Sequence, residues 1–189
     1  MRGHGKMNIK DQKNFFVSHN IGEMTLTQGM KELKLILKKV ASNNELIKKY
    51  CAQPSNEKPY FDTAETQEKQ VSNLIRSSED ILILARIIKT SIDYTNIVTT
   101  VYVDKEIYTI SELLNIKRTY AKYGESIYNS MNDSTATSSI RGNKDLTVVR
   151  HYSETVRNNG LMKYMDLKGR IDGVLELINA QTLLVWPNV

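Results

Sequence analysis

The chain has 189 residues, a mass of 21.6 kDa and a formal net charge of +5. This length predicts one domain, with or without a tail, that buries a core without disulfides or a metal. Apolar residues make up 40% of the chain, which argues against wholesale disorder, and 9 glycines and 3 prolines are too few for a turn-rich β-sandwich. The single cysteine, Cys51, excludes a disulfide within one chain.

Membrane spans and leader peptides depend on apolar runs, and the sequence has none of useful length. No run approaches the about 18 residues that a transmembrane helix needs. The positively charged start, residues 1–6, is not followed by an apolar segment, so no secretory signal is predicted. We therefore expect a reducing, cytoplasmic location.

Residues 1–23 are polar and irregular in pattern, apart from an apolar spot at Phe15, Phe16 and Val17. They are predicted to form an N-terminal extension, partly flexible, outside a single helical domain over residues 24–189. Two roles are compatible with this composition. One is a flexible tail with a small hydrophobic latch, and the other is an arm that binds a partner or another subunit.

Four helices are predicted from apolar residues at helical spacing. The first begins near residue 25 and ends at 52–60, where two prolines break it. The second covers about 62–95, the third follows residue 109, and the fourth covers about 161–180. Three of them begin at a capping box, a pattern in which Gln or Glu stands three residues after the cap: Thr25 with Gln28, Asp62 with Glu65, and Thr109 with Glu112.

Between the helices, β-branched residues predict a hairpin over about 97–110, with Asp104-Lys105 as its turn. Residues 132–145 are rich in hydroxyl groups and predict a loop. A short additional strand is predicted over 146–152, around two consecutive valines.

Gly169 and Gly173 lie inside the fourth helix, where each costs about 1 kcal/mol of helix propensity relative to Ala. We expect another helix to pack closely against them. The apolar end of the chain, residues 183–189, is expected to dock on the rest of the protein. The wide, tyrosine-rich stripes on the helices predict a homo-oligomer. The predicted fold class is therefore mainly α, a homo-oligomeric four-helix bundle-like domain with an inserted hairpin and one short strand.

Four stretches follow one another in an order that resembles the septicolysin-like family of small bacterial and phage proteins, whose function is not established. They are Ile-Asp-Tyr-Thr-Asn-Ile-Val-Thr-Thr at 92–100, Tyr-Thr-Ile-Ser-Glu-Leu-Leu at 108–114, the strand at 146–152, and Asp-Gly-Val-Leu-Glu-Leu-Ile-Asn-Ala-Gln-Thr at 172–182. The resemblance covers about residues 24–185 and implies a helical bundle with a hairpin, assembled as a homo-oligomer.

The chain departs from this family's pattern at two places. Lys117-Arg118 stands where the family tends to have an Arg-Asp pair, and Ala180 stands where it tends to have Trp. A site that used those groups would be altered in this chain. The extension 1–23 has no counterpart in the family.

Catalytic patterns are missing from the sequence. Glu112 and Glu125 are 13 residues apart and Asp166 and Asp172 are six apart, so neither pair is placed for acid–base work. No Gly-x-Ser-x-Gly, Walker-type loop or Gly-x-Gly-x-x-Gly occurs, and Cys51 is better explained as a structural thiol than as a nucleophile. We predict no enzymatic activity, no cofactor and no metal site.

The informative cluster is a basic stretch over residues 141–157, preceded by serines and threonines. Guanidinium groups suit phosphate oxygens, and tyrosine faces stack on bases. We predict that Arg141, Arg150 and Arg157 clamp phosphates while a tyrosine stacks on a base. The predicted ligand-binding residues are Arg141, Lys144, Arg150, Tyr152, Arg157, Arg118, Tyr120, Tyr123, Asn96 and Asn179. A solvated basic loop is the competing interpretation, with turn and capping roles for the two asparagines.

These observations predict a non-enzymatic, oligomeric binder of a small phosphate-bearing ligand. The concrete hypothesis is a phage protein in a bacterial host that sequesters a nucleotide-derived immune signal, either a cyclic ADP-ribose relative or a cyclic dinucleotide. One alternative is a structural or interaction protein without a small ligand. Another is non-specific nucleic-acid binding, which the pI of about 9.1 allows. The family's name also suggests a membrane-active role.

Overall fold

The computed structural model describes residues 9–142 and 146–187, and over these it shows a mainly helical protein with a two-stranded antiparallel hairpin. The chain divides into two compact units. Unit 1 comprises Met1–Asn96 with Asn179–Val189, and unit 2 comprises Ile97–Ile178. No helix in the described part of the chain is long and apolar enough to cross a membrane.

The elements lie in the following order along the chain. They are α1 (Ile9–Ser18), a 3₁₀ turn (Ile21–Glu23), α2 (Leu26–Tyr50), α3 (Ala64–Val98), β1 (Thr100–Val103), β2 (Glu106–Thr109), α4 (Ile110–Asn115), a π-helical segment (Ile116–Ala121), α5 (Lys122–Asn129), α6 (Ser134–Ser139) and α7 (Glu154–Gln181). The four predicted helices are confirmed as α2, α3, the continuous run from α4 to α5, and α7.

Helix starts follow the capping chemistry of the sequence. The boxes at Thr25 and Thr109 are confirmed, with the Gln28 amide donating to the Thr25 hydroxyl at 3.2 Å and the Glu112 amide donating to the Thr109 hydroxyl at 3.1 Å. The box predicted at Asp62 is wrong by one residue. The Thr63 hydroxyl accepts the Thr66 amide at 3.1 Å, so α3 starts one residue later than expected.

Thr109→Ala is expected to destabilise unit 2 by about 1 kcal/mol, because the cap hydroxyl is lost. The amide and hydroxyl of Thr109 also hold the pKa of Glu112 below its ordinary value of 4.5. That contribution is present above pH 4.5 and is lost as the pH falls through the lowered pKa. Urea unfolding at pH 7 measures the loss, and Thr109→Ser, which keeps the hydroxyl, should retain most of the stability. Equal losses in both variants would contradict the cap.

Unit 1 is closed by the end of the chain. The Leu26 amide donates to the Thr182 carbonyl at 2.8 Å, and the Leu184 amide donates to the Met24 carbonyl at 2.9 Å. The Val185 amide donates to the Thr95 hydroxyl at 2.9 Å. The apolar end therefore docks as predicted, with backbone hydrogen bonds that hold it beside the start of α2.

The N-terminal region is more regular than its sequence predicts. Residues 9–18 form α1, where an irregular segment was expected. Phe16 is buried with its ring centroid 5.7 Å from that of Trp186, whereas Val17 is exposed. Ile21 in the following turn is fully buried. The aromatic contact gives α1 a surface to pack on, which local sequence does not reveal.

The hairpin in unit 2 matches its prediction. Asp104 and Lys105 form the two-residue turn with φ of 49° and 71°, both in the left-handed region. Tyr102 and Ile107 face each other across the strands and are both exposed, whereas Val101 and Tyr108 point to the opposite, partly buried face. The hairpin therefore covers unit 2 with one face only.

The run from α4 to α5 packs antiparallel against α7. Contacts pair later residues of one with earlier residues of the other: the Lys117 ammonium with Asp172, Gly124 with the Tyr164 ring, and the Tyr128 ring with Gly160. At Gly124 and Gly160 an added Cβ would overlap the facing ring. These two glycines therefore allow the close approach of the helices.

The close packing predicted at Gly169 and Gly173 is not found. Within the described residues, nothing lies within 4 Å of a Cβ built at either position. Both glycines lie on a face of α7 that the chain itself leaves open. In unit 2, the glycines with a packing role are thus Gly124 and Gly160, which oppose tyrosine rings.

Three expectations after residue 130 are wrong. The predicted hydroxyl-rich loop contains α6, and residues 146–152, predicted as a strand, have no regular secondary structure and no ladder partner among the described residues. The valines of this segment favour extended backbone, but a strand also needs a neighbour to bond to. Finally, α7 starts at Glu154 instead of residue 161, since the Ser153 carbonyl accepts the Arg157 amide at 3.0 Å.

Candidate ligand groove

The predicted basic cluster falls on three different segments of unit 2. Arg141 follows the end of α6, Arg150 lies in the irregular segment before α7, and Arg157 lies in the first turn of α7. Lys144 is outside the described residues. The three arginines can therefore form one site only where side chains between these segments connect them.

A surface groove of about 410 Å³ lies along α6, and we call it the α6 groove. It is lined by Asp133, Ser134, Thr137, Ser138 and Arg141. Ser134, Thr137 and Ser138 lie at helical spacings on one face of the short helix, and Arg141 follows three residues later in the turn after it. Other grooves on the described surface have similar volumes, of about 380, 430 and 470 Å³, so the lining and not the volume distinguishes this groove.

The hydroxyls of the α6 groove differ in what they still offer a ligand. The Ser134 hydroxyl donates to Asn132 Oδ1 at 2.5 Å, and the Ser138 hydroxyl donates to the Ser134 carbonyl at 2.8 Å. Thr137 has no side-chain hydrogen bond within the described residues. A ligand oxygen in the groove would thus meet the Thr137 hydroxyl and the Arg141 guanidinium as donors.

Arg150 holds the carboxylate at the edge of the groove. Its Nε donates to Asp133 Oδ2 at 2.9 Å and its Nη2 donates to the same oxygen at 2.5 Å. These bonds hold the pKa of Asp133 below its usual value, and the pKa of Arg150 is raised by Asp133 and, to a smaller extent, by Tyr152. Arg150 is 52% exposed and Asp133 is 31% exposed, so solvent screens the pair and its contribution to stability is small.

Glu154 links the other two arginines behind the groove. Its carboxylate lies 3.9 Å from Arg150 Nη1 and 3.8 Å from Arg157 Nη1. Arg157 is half-buried, and its Nε is buried without a hydrogen-bond partner among the described residues. Of the three predicted phosphate-binding arginines, only Arg141 lines the groove, and carboxylates engage the other two.

The tyrosines predicted to stack on a base are spread along unit 2. Tyr152 is half-buried and interacts electrostatically with Arg150. Tyr120 and Tyr123 are more than half exposed but lie one to two turns before the end of α5. Nine residues of helix from Tyr120 to Asn129 span about 13 Å. Tyr152 is therefore the predicted aromatic residue best placed beside the arginines.

A tyrosine cluster surrounds the π-helical segment instead. The Tyr120 and Tyr164 rings meet edge to face at 5.7 Å, and Tyr128 lies 6.0 Å from Tyr164. The hydrogen bond with Tyr120 and burial raise the pKa of Tyr164. The wider helical turns place Tyr120 toward α7 and leave Arg118 exposed. The sequence carries no signal for this π-helical segment.

The remaining predicted residues belong to unit 1. Asn96 lies within α3 and Asn179 within α7, and both are half-buried. The structure thus does not place them with the arginines of unit 2. Within the described residues, no group of three His, Cys, Asp or Glu side chains is close enough to hold a metal ion.

Sequence reasoning missed Asp133 and Glu154, the two carboxylates that organise the arginines. Asp133 stands 17 residues before Arg150, and nothing in the local pattern connects them. The sequence does offer a signal for Glu154, since this residue lies four residues after Arg150 and three before Arg157, spacings at which ion pairs form on a helix.

Comparison with known proteins gives a fold but no family. No family model matches the chain, and neither does any curated protein. The fold is similar to that of a functionally unknown conserved protein from Corynebacterium diphtheriae, with a TM-score of 0.67 and 13% sequence identity, over 86% of this chain and 99% of that one. The resemblance to the septicolysin-like family therefore stays a prediction.

Proposed function

We propose that the protein is a non-enzymatic, self-associating binder of a small phosphate-bearing ligand, and that the α6 groove is its binding site. The observation that carries this is the lining of the groove, which combines the Arg141 guanidinium with the Thr137 hydroxyl in a space of about 410 Å³. Both groups donate hydrogen bonds to phosphate oxygens, and the charge of Arg141 strengthens its bond.

Two further observations support the proposal. Arg150 binds Asp133 at the edge of the groove and interacts with Tyr152, so a second positive charge and an aromatic ring lie near the groove, although Asp133 and Glu154 engage the Arg150 guanidinium. Residues 141–170 carry seven basic and three acidic side chains, which gives this part of the chain a positive field. The finer form of the proposal, a phage protein that sequesters a nucleotide-derived immune signal, rests on the same chemistry.

Titration calorimetry of the full chain tests the site. The probes are inorganic phosphate, AMP, cyclic ADP-ribose and a cyclic dinucleotide. For each probe that the wild type binds, Arg141→Ala is expected to lower the affinity about tenfold or more, since a charge-assisted hydrogen bond contributes about 1.5–3 kcal/mol. Arg86→Ala, the same change at an exposed position of unit 1, is the matched control and should bind as the wild type does.

No heat with any probe would refute the proposed function, and equal losses in both variants would show that the groove is not the site. The control is needed because any loss of positive charge weakens the attraction of an anion over the whole surface. Repeating the titrations at about 50 and 200 mM salt separates this general effect from the specific contact.

A structural or interaction role is the second candidate, and exposed apolar side chains favour it. On α2, Met30, Leu35, Leu37 and Leu46 are 37–59% exposed, and on α7 Met162, Met165 and Leu177 are 57–60% exposed. Apolar helix faces that the chain leaves uncovered are typical of association surfaces. A discrete oligomer in analytical ultracentrifugation, together with silent calorimetry, would favour this role over ligand binding.

A further inference from the structure

The arginines around the α6 groove differ in whether a carboxylate already binds them. The Arg141 guanidinium lines the groove, and no ion pair holds it within the described residues. Arg150 is engaged by Asp133 through two hydrogen bonds to one oxygen, at 2.9 and 2.5 Å, and by Glu154 at 3.9 Å. Among the described residues, a ligand therefore meets the Arg141 guanidinium without an ion-pair partner, beside the Asp133 carboxylate, which Arg150 already binds.

We infer that Asp133 makes the groove charge-selective and weakens the binding of a doubly charged phosphomonoester more than the binding of a singly charged phosphodiester. This inference rests on the proposed function and deepens it. Arg141, Arg150 and Asp133 together carry a net charge of one positive unit. This net charge attracts both kinds of phosphate ester, and the Asp133 carboxylate lowers the attraction more for the two charges of a phosphomonoester than for the single charge of a phosphodiester.

The physical basis is that repulsion by Asp133 scales with ligand charge. A phosphomonoester has a second pKa near about 6 and is mostly dianionic at pH 7.5. Each of its two charges is repelled by the Asp133 carboxylate, whereas a diester carries one. Asp133 remains ionised at this pH, because the bonds from Arg150 keep its pKa low. The carboxylate therefore disfavours monoesters more strongly than diesters.

The test compares AMP with 3′,5′-cyclic AMP, which share a base and a sugar and differ in phosphate charge. Calorimetry on the full chain at pH 7.5 and about 50 mM salt measures the affinity of the wild type for both nucleotides. Asp133→Asn keeps the shape of the side chain and removes the charge. This variant is expected to raise the affinity for AMP by a factor that is about three- to tenfold larger than the factor for cyclic AMP.

Asp166→Asn is the matched control, since Asp166 is an exposed carboxylate on α7 in the same unit. It should change both affinities by the same small factor. Circular dichroism spectra of both variants should superimpose on that of the wild type, because Asp133 lies at the surface and caps nothing through its side chain.

The possible results separate the inference from the proposed function. Binding that Arg141→Ala weakens, with AMP and cyclic AMP changed equally by Asp133→Asn, would overturn the inference and leave the proposed function standing. Absence of binding by the wild type and by Asp133→Asn would overturn both. If a single-stranded oligonucleotide displaces cyclic AMP and binds more tightly as its length increases, the ligand is a nucleic-acid backbone instead of a small phosphate ester. This result would overturn the inference.

Discussion

Trp186→Ala is expected to lower the free energy of unfolding of unit 1 by about 3–5 kcal/mol. Trp186 is 7% exposed and packs against Phe16, which belongs to α1. Next to it, Leu184 is buried, and its side chain leaves no room for a Cβ at Gly29. Replacing the Trp186 side chain by a methyl group would therefore open a cavity where three segments distant in sequence meet.

Trp186→Phe separates packing from hydrogen bonding at this position. The indole Nε1 is buried without a hydrogen-bond partner among the described residues, so phenylalanine loses volume but no bond. We expect this variant to lose less than about 1.5 kcal/mol. Urea unfolding followed by circular dichroism measures both variants, since the alanine and phenylalanine changes remove the protein's only tryptophan. Equal losses would contradict a packing role for the ring.

Gly160→Ala is expected to destabilise unit 2 by about 1–3 kcal/mol, although alanine is the better helix former. A Cβ at this position would overlap the Tyr128 ring, and Tyr128 is itself in contact with Tyr164. The ring thus has little freedom to move away. Thermal unfolding of the purified variant gives the change in stability.

Gly169→Ala is the matched control on the same helix. A Cβ there meets nothing within 4 Å in the described structure, so only helix propensity changes, and we expect a gain of about 0.8–1 kcal/mol. The two substitutions are chemically identical and differ only in what faces them. A gain in stability from both would show that the helices separate easily at Gly160.

Local sequence was sufficient for the elements whose cause is local. Thr25 with Gln28 and Thr109 with Glu112 place the starts of α2 and α4 correctly, because a cap needs only groups three residues apart. The hairpin turn at Asp104-Lys105 was likewise predictable, since the β-branched residues on either side leave two residues to reverse the chain.

Elements that depend on distant partners were not predictable. The valines at 148 and 149 have the right composition for a strand but no partner to pair with among the described residues. Conversely, α1 has a weak pattern, but its Phe16 packs on Trp186, 170 positions further along. Glycines within α7 looked alike in sequence, yet Gly160 faces a ring and Gly169 faces open space.

The candidate site shows the same division. Sequence alone indicated the basic stretch and the hydroxyls before it, because residue chemistry and helical spacing are local properties. It did not indicate that Asp133 and Glu154 engage Arg150 and Arg157, since ion pairs form wherever the fold brings opposite charges together.

By itself, the sequence determined the number and order of the main helices, the hairpin and two of the helix caps, since these arise from contacts within a few residues. Only the tertiary structure decided which arginine remains available to a ligand. Arg141, Arg150 and Arg157 have the same side chain, and they differ only in the carboxylates that the folded chain places beside them. The net charge of +5 thus describes the chain, whereas the charge of the α6 groove is a property of the fold.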